Sequence, residues 1–138
     1  MTKGYGISAG RRLLFLTPAE AGQWIAGKKG ERTDREWHRW ESGEFNAPRH
    51  VIQRLRELLS QRATAVSKVD AGPHRWYPTW PDFQQDFPLA RFEHWRMHQS
   101  VLAEAFTRRG ELTNVLTHTP LHEYFTEIAR ESASGTPV

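Results

Sequence analysis

The sequence predicts a mainly α protein assembled from short, separately capped helices. Two observations carry this expectation. Thr17-Pro18-Ala19-Glu20 and Thr33-Asp34-Arg35-Glu36 both match the capping box, in which an N-cap hydroxyl and a glutamate three residues on satisfy two orphan backbone donors. Val51, Ile52, Leu55, Leu58 and Leu59 recur at helical spacing behind Pro48, and Leu121, Tyr124, Phe125 and Ile128 do so behind Thr119-Pro120.

Residues 7–16 are expected to form the first helix, with the leucines and Phe15 inward. The second starts at Thr17, buries Ala21, Trp24 and Ile25, and ends at Gly27; Ala21 and Gly22 are small enough to let a neighbouring helix come close. The third runs from Thr33 to about Ser42. Trp37 and Trp40 are three residues apart and share its inward face, while Asp34, Arg35, His38 and Arg39 share the other. Gly43 is the expected stop. Pro48 opens a fourth helix to about Val66, with Arg49, Arg54, Arg56 and Arg62 on its exposed faces.

Asp70-Ala71-Gly72-Pro73 breaks the chain and sets two domains, 1–69 and 70–138. Arg75-Trp76-Tyr77-Pro78 reads as a short strand, and Thr79 caps a brief helix through Phe83 to Phe87. Residues 92–108 should be helical, burying Phe92, Trp95, Val101, Leu102 and Phe106. Residues 112–116 are ambiguous, and Thr119-Pro120 caps the last helix. Disorder is expected for residues 1–6 and 132–138.

Composition narrows the function. With 138 residues the chain can bury a real core, and six Trp and seven Phe give that core large aromatic anchors. The absence of cysteine removes disulfides, thiolate zinc sites and cysteine nucleophiles. No signal-type apolar run opens the sequence, and no stretch approaches the roughly 20 apolar residues of a membrane span. The expectation is a soluble cytoplasmic protein with no membrane partner. Residues 1–62 hold 12 Lys/Arg against 7 Asp/Glu, and residues 63–138 hold 7 against 9, so a polyanion-binding surface belongs to the first half. A merely solvated charged surface is the bland alternative.

Three amphipathic pieces of about ten residues, joined by a glycine-bearing turn and followed by a fourth helix, form the pattern of a repressor-type (Cro/C1-like) helix-turn-helix bundle. The polar face of the third helix would then enter the DNA major groove. GKKG, residues 27–30, also has the form of the loop with which KH domains clamp RNA. That reading fails on context, because capped helices flank the loop and no β-branched alternating run follows it. His94 with His98 and His118 with His122 have metal-like spacing, but the first pair lacks a third ligand and the second straddles a cap, so no metal and no cofactor are expected. No nucleophile elbow, phosphate loop or paired carboxylates appear, which argues against an enzyme. His74-Arg75-Trp76-Tyr77 interleaves basic and aromatic residues as a single-strand stacking site would, but its aromatics fit a core or dimer contact better. The dimer interface is expected among Trp76, Tyr77, Trp80, Phe83, Trp95, Val101 and Phe106.

TPAEAGQWIAG, REWHRWESGE, RWYPTWPDFQQDF and FEHWRMHQSVLAEAF together resemble the YdiL-like helix-turn-helix family, which includes anti-CRISPR-associated (Aca-type) repressors. The likeness covers about residues 8–107. It implies an N-terminal DNA-binding part, a small C-terminal dimerisation part, and repression of the protein's own operon from an inverted repeat in double-stranded DNA. Carried over by position, Thr33, Asp34, Arg35, His38 and Arg39 would contact bases, and Trp37 and Trp40 would hold the helix. Lys28, Lys29, Arg32, Asn46 and Arg49 would neutralise phosphates. The resemblance also implies an RNA leader as a second ligand, and an antitoxin-like interaction regulator is the alternative from another class. The segment between Ile25 and Trp40 is several residues longer than the family's usual turn, and residues 108–138 extend past its usual end.

Overall fold

Seven helices are formed by the residues that the structure, a computed structural model, describes: 4–69, 74–109 and 119–134. In order they are α1 (Gly4–Leu13), α2 (Pro18–Trp24), α3 (Arg35–Glu41), α4 (Arg49–Lys68), α5 (Trp80–Asp86), α6 (Phe92–Arg109) and α7 (Pro120–Ala133). The chain divides into two compact units, Met1–Gln61 and Arg62–Val138, and the division falls inside α4.

In the first unit the Thr17 capping box forms as the sequence expects. The Thr17 hydroxyl accepts from Glu20 N at 3.1 Å, and Glu20 Oε1 accepts from Thr17 N at 3.0 Å. The second box does not form. Residues 31–34 make a turn, α3 begins at Arg35, and Asp34 at its N-cap makes no side-chain cap bond. The reason lies in the packing of α2, because a Cβ on Gly22 would fall 1.8 Å from the carbonyl oxygen of Thr33. Thr33 is thus held by its backbone against α2 and not released to cap a helix. At the other end of α3, a Cβ on Gly4 would fall 2.3 Å from Glu41 O and 2.8 Å from Trp40 O. The third helix is therefore gripped by a glycine at each end.

Trp37 is fully buried and Trp40 nearly so, in an edge-on pair with centroids 5.6 Å apart, among Ile7, Leu14, Leu16, Ala21, Ile25, Val51, Leu55 and Leu58. Burying each indole stabilises the unit by at least the roughly 1.5–3 kcal/mol of a large apolar side chain. Three expectations for α1 need correction. It starts at Gly4, so residues 4–6 are helical; it ends at Leu13; and Leu13 and Phe15 are exposed. Helical order stops at Leu13, and Phe15 at φ 63° reverses the chain so that Leu14 and Leu16 point inward instead.

The second unit is built on rings. Tyr77, Phe83, Phe87, His98 and Phe125 pack mostly edge-on or tilted, with Phe83 stacked on Phe87 at 4.5 Å and His98 against Phe125 at 4.8 Å. Residues 74–78 form no strand, and there is none among the described residues. Among the described residues the segment has no partner strand. One of its backbone carbonyls is satisfied by side chains, since Trp95 Nε1 and Gln99 Nε2 both donate to Tyr77 O, at 2.9 and 3.2 Å.

Thr79 and Thr119 cap α5 and α7 as expected, accepting from Asp82 N and His122 N at 3.2 and 3.1 Å. Leu121, Phe125 and Ile128 are buried. Four further expectations give way. Arg62 is not exposed: its guanidinium donates to Ser100 Oγ at 3.0 Å and Glu104 Oε1 at 2.9 Å, and its side chain keeps 13% of its surface. Arg54 is likewise drawn into an ion pair with Glu57. Phe106, one position off the stripe of Val101 and Ala105, is 50% exposed. The chain also stays helical to Ala133. Residues 1–3, 70–73, 112–116, 118 and 135–138, for which expectations were stated above, lie outside the described residues.

Candidate nucleic-acid interface

The exposed face of α3 gathers most of the residues expected to meet DNA bases. Trp37 and Trp40 point into the core, which leaves Arg35, Glu36, His38 and Arg39 in solvent. Asp34 lies at the helix start, and its Oδ2 is 3.1 Å from His38 Nε2, one helical turn on. Arg32 Nε approaches the other carboxylate oxygen at 3.6 Å. Partial desolvation pushes the Asp34 carboxyl up, but its own backbone N–H, Arg32 and His38 outweigh this and hold it below the ordinary carboxylate range. Asp34 therefore stands as an anion that orients His38. Thr33 is half-buried, with its carbonyl against Gly22.

The phosphate-type residues are spread around this face. Gly27 and Gly30 take φ 73° and 101°, bounding a Lys28-Lys29 corner that L-residues at those two positions would resist. Lys28 N donates to Gly22 O at 2.9 Å, which fastens the corner to α2, and Lys28 Nζ pairs with Glu36 at 2.9 Å. Lys29, Arg32, Asn46 and Arg49 are exposed.

Two residues near this face were not anticipated. Glu41 closes the last turn of α3, and its carboxylate accepts from Arg11 Nε at 2.5 Å, Arg11 Nη2 at 3.2 Å and Trp37 Nε1 at 2.5 Å. Arg11 also donates to Leu16 O at 2.8 Å. Burial pushes the Glu41 carboxyl up, but the bonds from Arg11 and Trp37 dominate and lower it. Its signal in the sequence was the carboxylate one turn beyond a core tryptophan. The second is Phe45, exposed in the turn after α3, with the Arg39 guanidinium carbon 5.6 Å from its ring centroid. Its signal was one large apolar residue between Gly43 and Pro48.

In the second unit, the residues expected at a dimer interface divide sharply. Tyr77, Phe83, Trp95 and Val101 are covered by the unit's own fold, Trp76 and Trp80 are half-buried, and Phe106 is half-exposed. His94 and His98 are both buried, and no group of three metal-binding side chains occurs among the described residues.

These features define a mainly helical protein of two compact units, the first bearing a polar, cation-rich helix face backed by two tryptophans. The chain belongs to the Aca2/YdiL-like family, whose model matches residues 2–114. It is 27% identical over 110 residues to the uncharacterized protein YdiL of Escherichia coli strain K12, covering 74% of this chain and 91% of that one. It is 32% identical over 108 residues to the Aca2 repressor of Pectobacterium phage ZF40, covering 73% and 90%. The match extends beyond the residues 8–107 that carried the resemblance, and α7 lies outside it. No helix among the described residues is long and apolar enough to cross a membrane.

Proposed function

We propose that the protein is a sequence-specific DNA-binding transcriptional repressor, and not an enzyme, with α2 and α3 acting as a helix-turn-helix whose second helix lies in the major groove. The observation that carries this reading is the division of α3 into a buried Trp37–Trp40 back and a solvent face holding Arg35, His38 and Arg39. Arginine pairs bidentately with guanine O6 and N7, and a major groove is wide enough for one helix. Lys28, Lys29, Arg32, Asn46 and Arg49 supply the phosphate contacts that fix register. The relative named as a repressor supports the same reading.

The repressor acts as a homodimer through its second unit, on an inverted repeat with half-sites roughly 34–36 Å apart. The repeat overlaps the promoter of its own operon, which by resemblance is an anti-CRISPR operon. Leu89 and Phe106, with the exposed parts of Trp76 and Trp80, are apolar side chains of that unit open to such a contact. The test is a gel shift on the inverted repeat upstream of the gene. Wild-type protein should retard it and Arg39→Ala should need a markedly higher concentration to do so; equal binding by both would overturn the docking. An excess of the transcript's leader RNA, added at moderate salt, tests whether RNA competes for the same face.

A further inference from the structure

Phe45 is a large apolar side chain left partly in water by the turn that follows α3. It is 52% exposed. Its backbone N–H donates to Arg39 O at 3.3 Å; Ser42 Oγ donates to the same carbonyl at 3.0 Å and accepts from Glu44 N at 3.3 Å. Gly43 turns the chain between them at φ 81°. Residues 42–45 are thus folded back along the last turn of α3, which brings the ring beside Arg39. The Arg39 guanidinium at 5.6 Å is within cation–π range, so the ring also restricts where that cation can reach.

We propose that Phe45 reads the 5-methyl group of a thymine adjacent to the base engaged by Arg39, the two side chains forming one reading unit. The inference rests on α3 being the DNA-reading helix. In the major groove a thymine presents an acceptor and a methyl group, and the methyl is recognised by apolar contact. The exposed side chains of α3 itself, Arg35, Glu36, His38 and Arg39, end in charged or hydrogen-bonding groups and offer no such surface. Phe45 supplies it, with its ring beside the guanidinium and about half of its surface in solvent. A guanine bound by Arg39 next to a thymine bound by Phe45 would therefore be the strongest step of each half-site.

Replacing each thymine of the upstream repeat in turn by deoxyuridine removes the methyl group and nothing else. Titration of these duplexes by fluorescence anisotropy, with wild type and Phe45→Ala at one salt concentration, gives a cycle between side chain and methyl. One thymine per half-site should weaken wild-type binding about fourfold when replaced, the size of one buried methyl group. Phe45→Ala should bind the native duplex more weakly and lose nothing further on that replacement. Insensitivity of the wild type to every replacement, or an equal further loss in Phe45→Ala, would overturn the proposal. So would a change in the oligomeric state of Phe45→Ala on size exclusion, which would make the ring a subunit contact. Failure of the native duplex to bind at all would sink the DNA-binding reading itself. Binding that Arg39→Ala abolishes but no deoxyuridine affects would sink the assignment of Phe45 alone.

Discussion

Gly22 packs its bare Cα against the carbonyl of Thr33, at a point where an added Cβ would stand 1.8 Å from the oxygen. The obstruction is backbone, so no side chain can rotate away to relieve it. Gly22→Ala should lower stability by about 3 kcal/mol, at the upper end of overpacking costs, because α2 and the turn before α3 must separate. Gly10 is the control. Its Cβ would meet Leu59 Cδ1 at 3.1 Å and Leu55 Cδ2 at 3.3 Å, the far ends of flexible side chains. There the helix-propensity gain of about 1 kcal/mol for Gly→Ala should offset the crowding. Urea titrations of both variants decide the matter, and equal midpoints for the two would contradict it.

The Glu41 carboxylate ties α1 to α3 through Arg11 and orients the Trp37 indole, with side-chain exposures of 9% for Arg11 and 14% for Glu41. Glu41→Gln keeps the shape but leaves the Arg11 charge without its counter-ion. The cost should be on the order of 2 kcal/mol, less than the roughly 3–5 kcal/mol for breaking a fully buried pair. The Glu41 pKa is lowered on folding, so its stabilisation is present above its unfolded value of 4.5 and is lost as pH falls through the lower folded value. Wild-type stability should therefore fall more steeply below pH 4.5 than that of Glu41→Gln. Parallel slopes in that range would show that the carboxylate is not the group responsible.

His98 is enclosed by Tyr77, Phe83, Phe87 and Phe125, and its Nδ1 has no hydrogen-bond partner. Burial, with His74 and His122 nearby, pushes its pKa down to about 3. Between about 3 and the ordinary 6.5 the unfolded imidazole is protonated while the folded one is not, so unfolding takes up a proton. Stability should fall as pH is lowered through this window, by up to about 1.4 kcal/mol per pH unit. His98→Leu should melt lower than wild type at pH 7, through lost ring contacts, yet lose less on going to pH 5. Thermal melts by circular dichroism at both pH values measure the difference.

Local chemistry was legible in the sequence where a few adjacent residues decide the outcome. Three threonine caps, at Thr17, Thr79 and Thr119, bond as their tetrads implied, and Trp37 with Trp40 faces inward as their spacing required. The Thr33 box was misread because its competitor, the bare Cα of Gly22, is eleven residues away in sequence and adjacent in space. Phe106 and Phe15 were misplaced for a similar reason. Periodicity says which residues share a stripe, whereas the edge of that stripe is set by where a helix ends and what covers it. Only the Trp37 half of the Glu41 anchor left a signal, at one turn's spacing, because its other partner, Arg11, sits on another helix. The exposed face of α3 was legible, since it needed one helix and its period; the placing of Phe45 beside Arg39 was not, since it depends on how the turn folds back.

If α3 reads bases while the Lys28-Lys29 corner and Arg49 neutralise phosphates, salt separates the two groups. A protein that neutralises Z phosphates on duplex DNA loses affinity with a log-log salt slope of about −0.9Z. Lys29→Ala and Arg49→Ala should each flatten that slope by about one and weaken binding to operator and random duplex alike. Arg39→Ala should leave the slope within about half a unit of wild type and cost about 1–3 kcal/mol on the operator alone. Lys28 should have a smaller effect than Lys29, because Glu36 already neutralises it at 2.9 Å and must release it before a phosphate can take its place. Anisotropy titrations of operator and scrambled duplex over a series of salt concentrations give the slopes of wild type and the four variants. An Arg39→Ala protein with a flattened slope and unchanged specificity would move Arg39 from the bases to the backbone, and with it the axis of α3 in the groove.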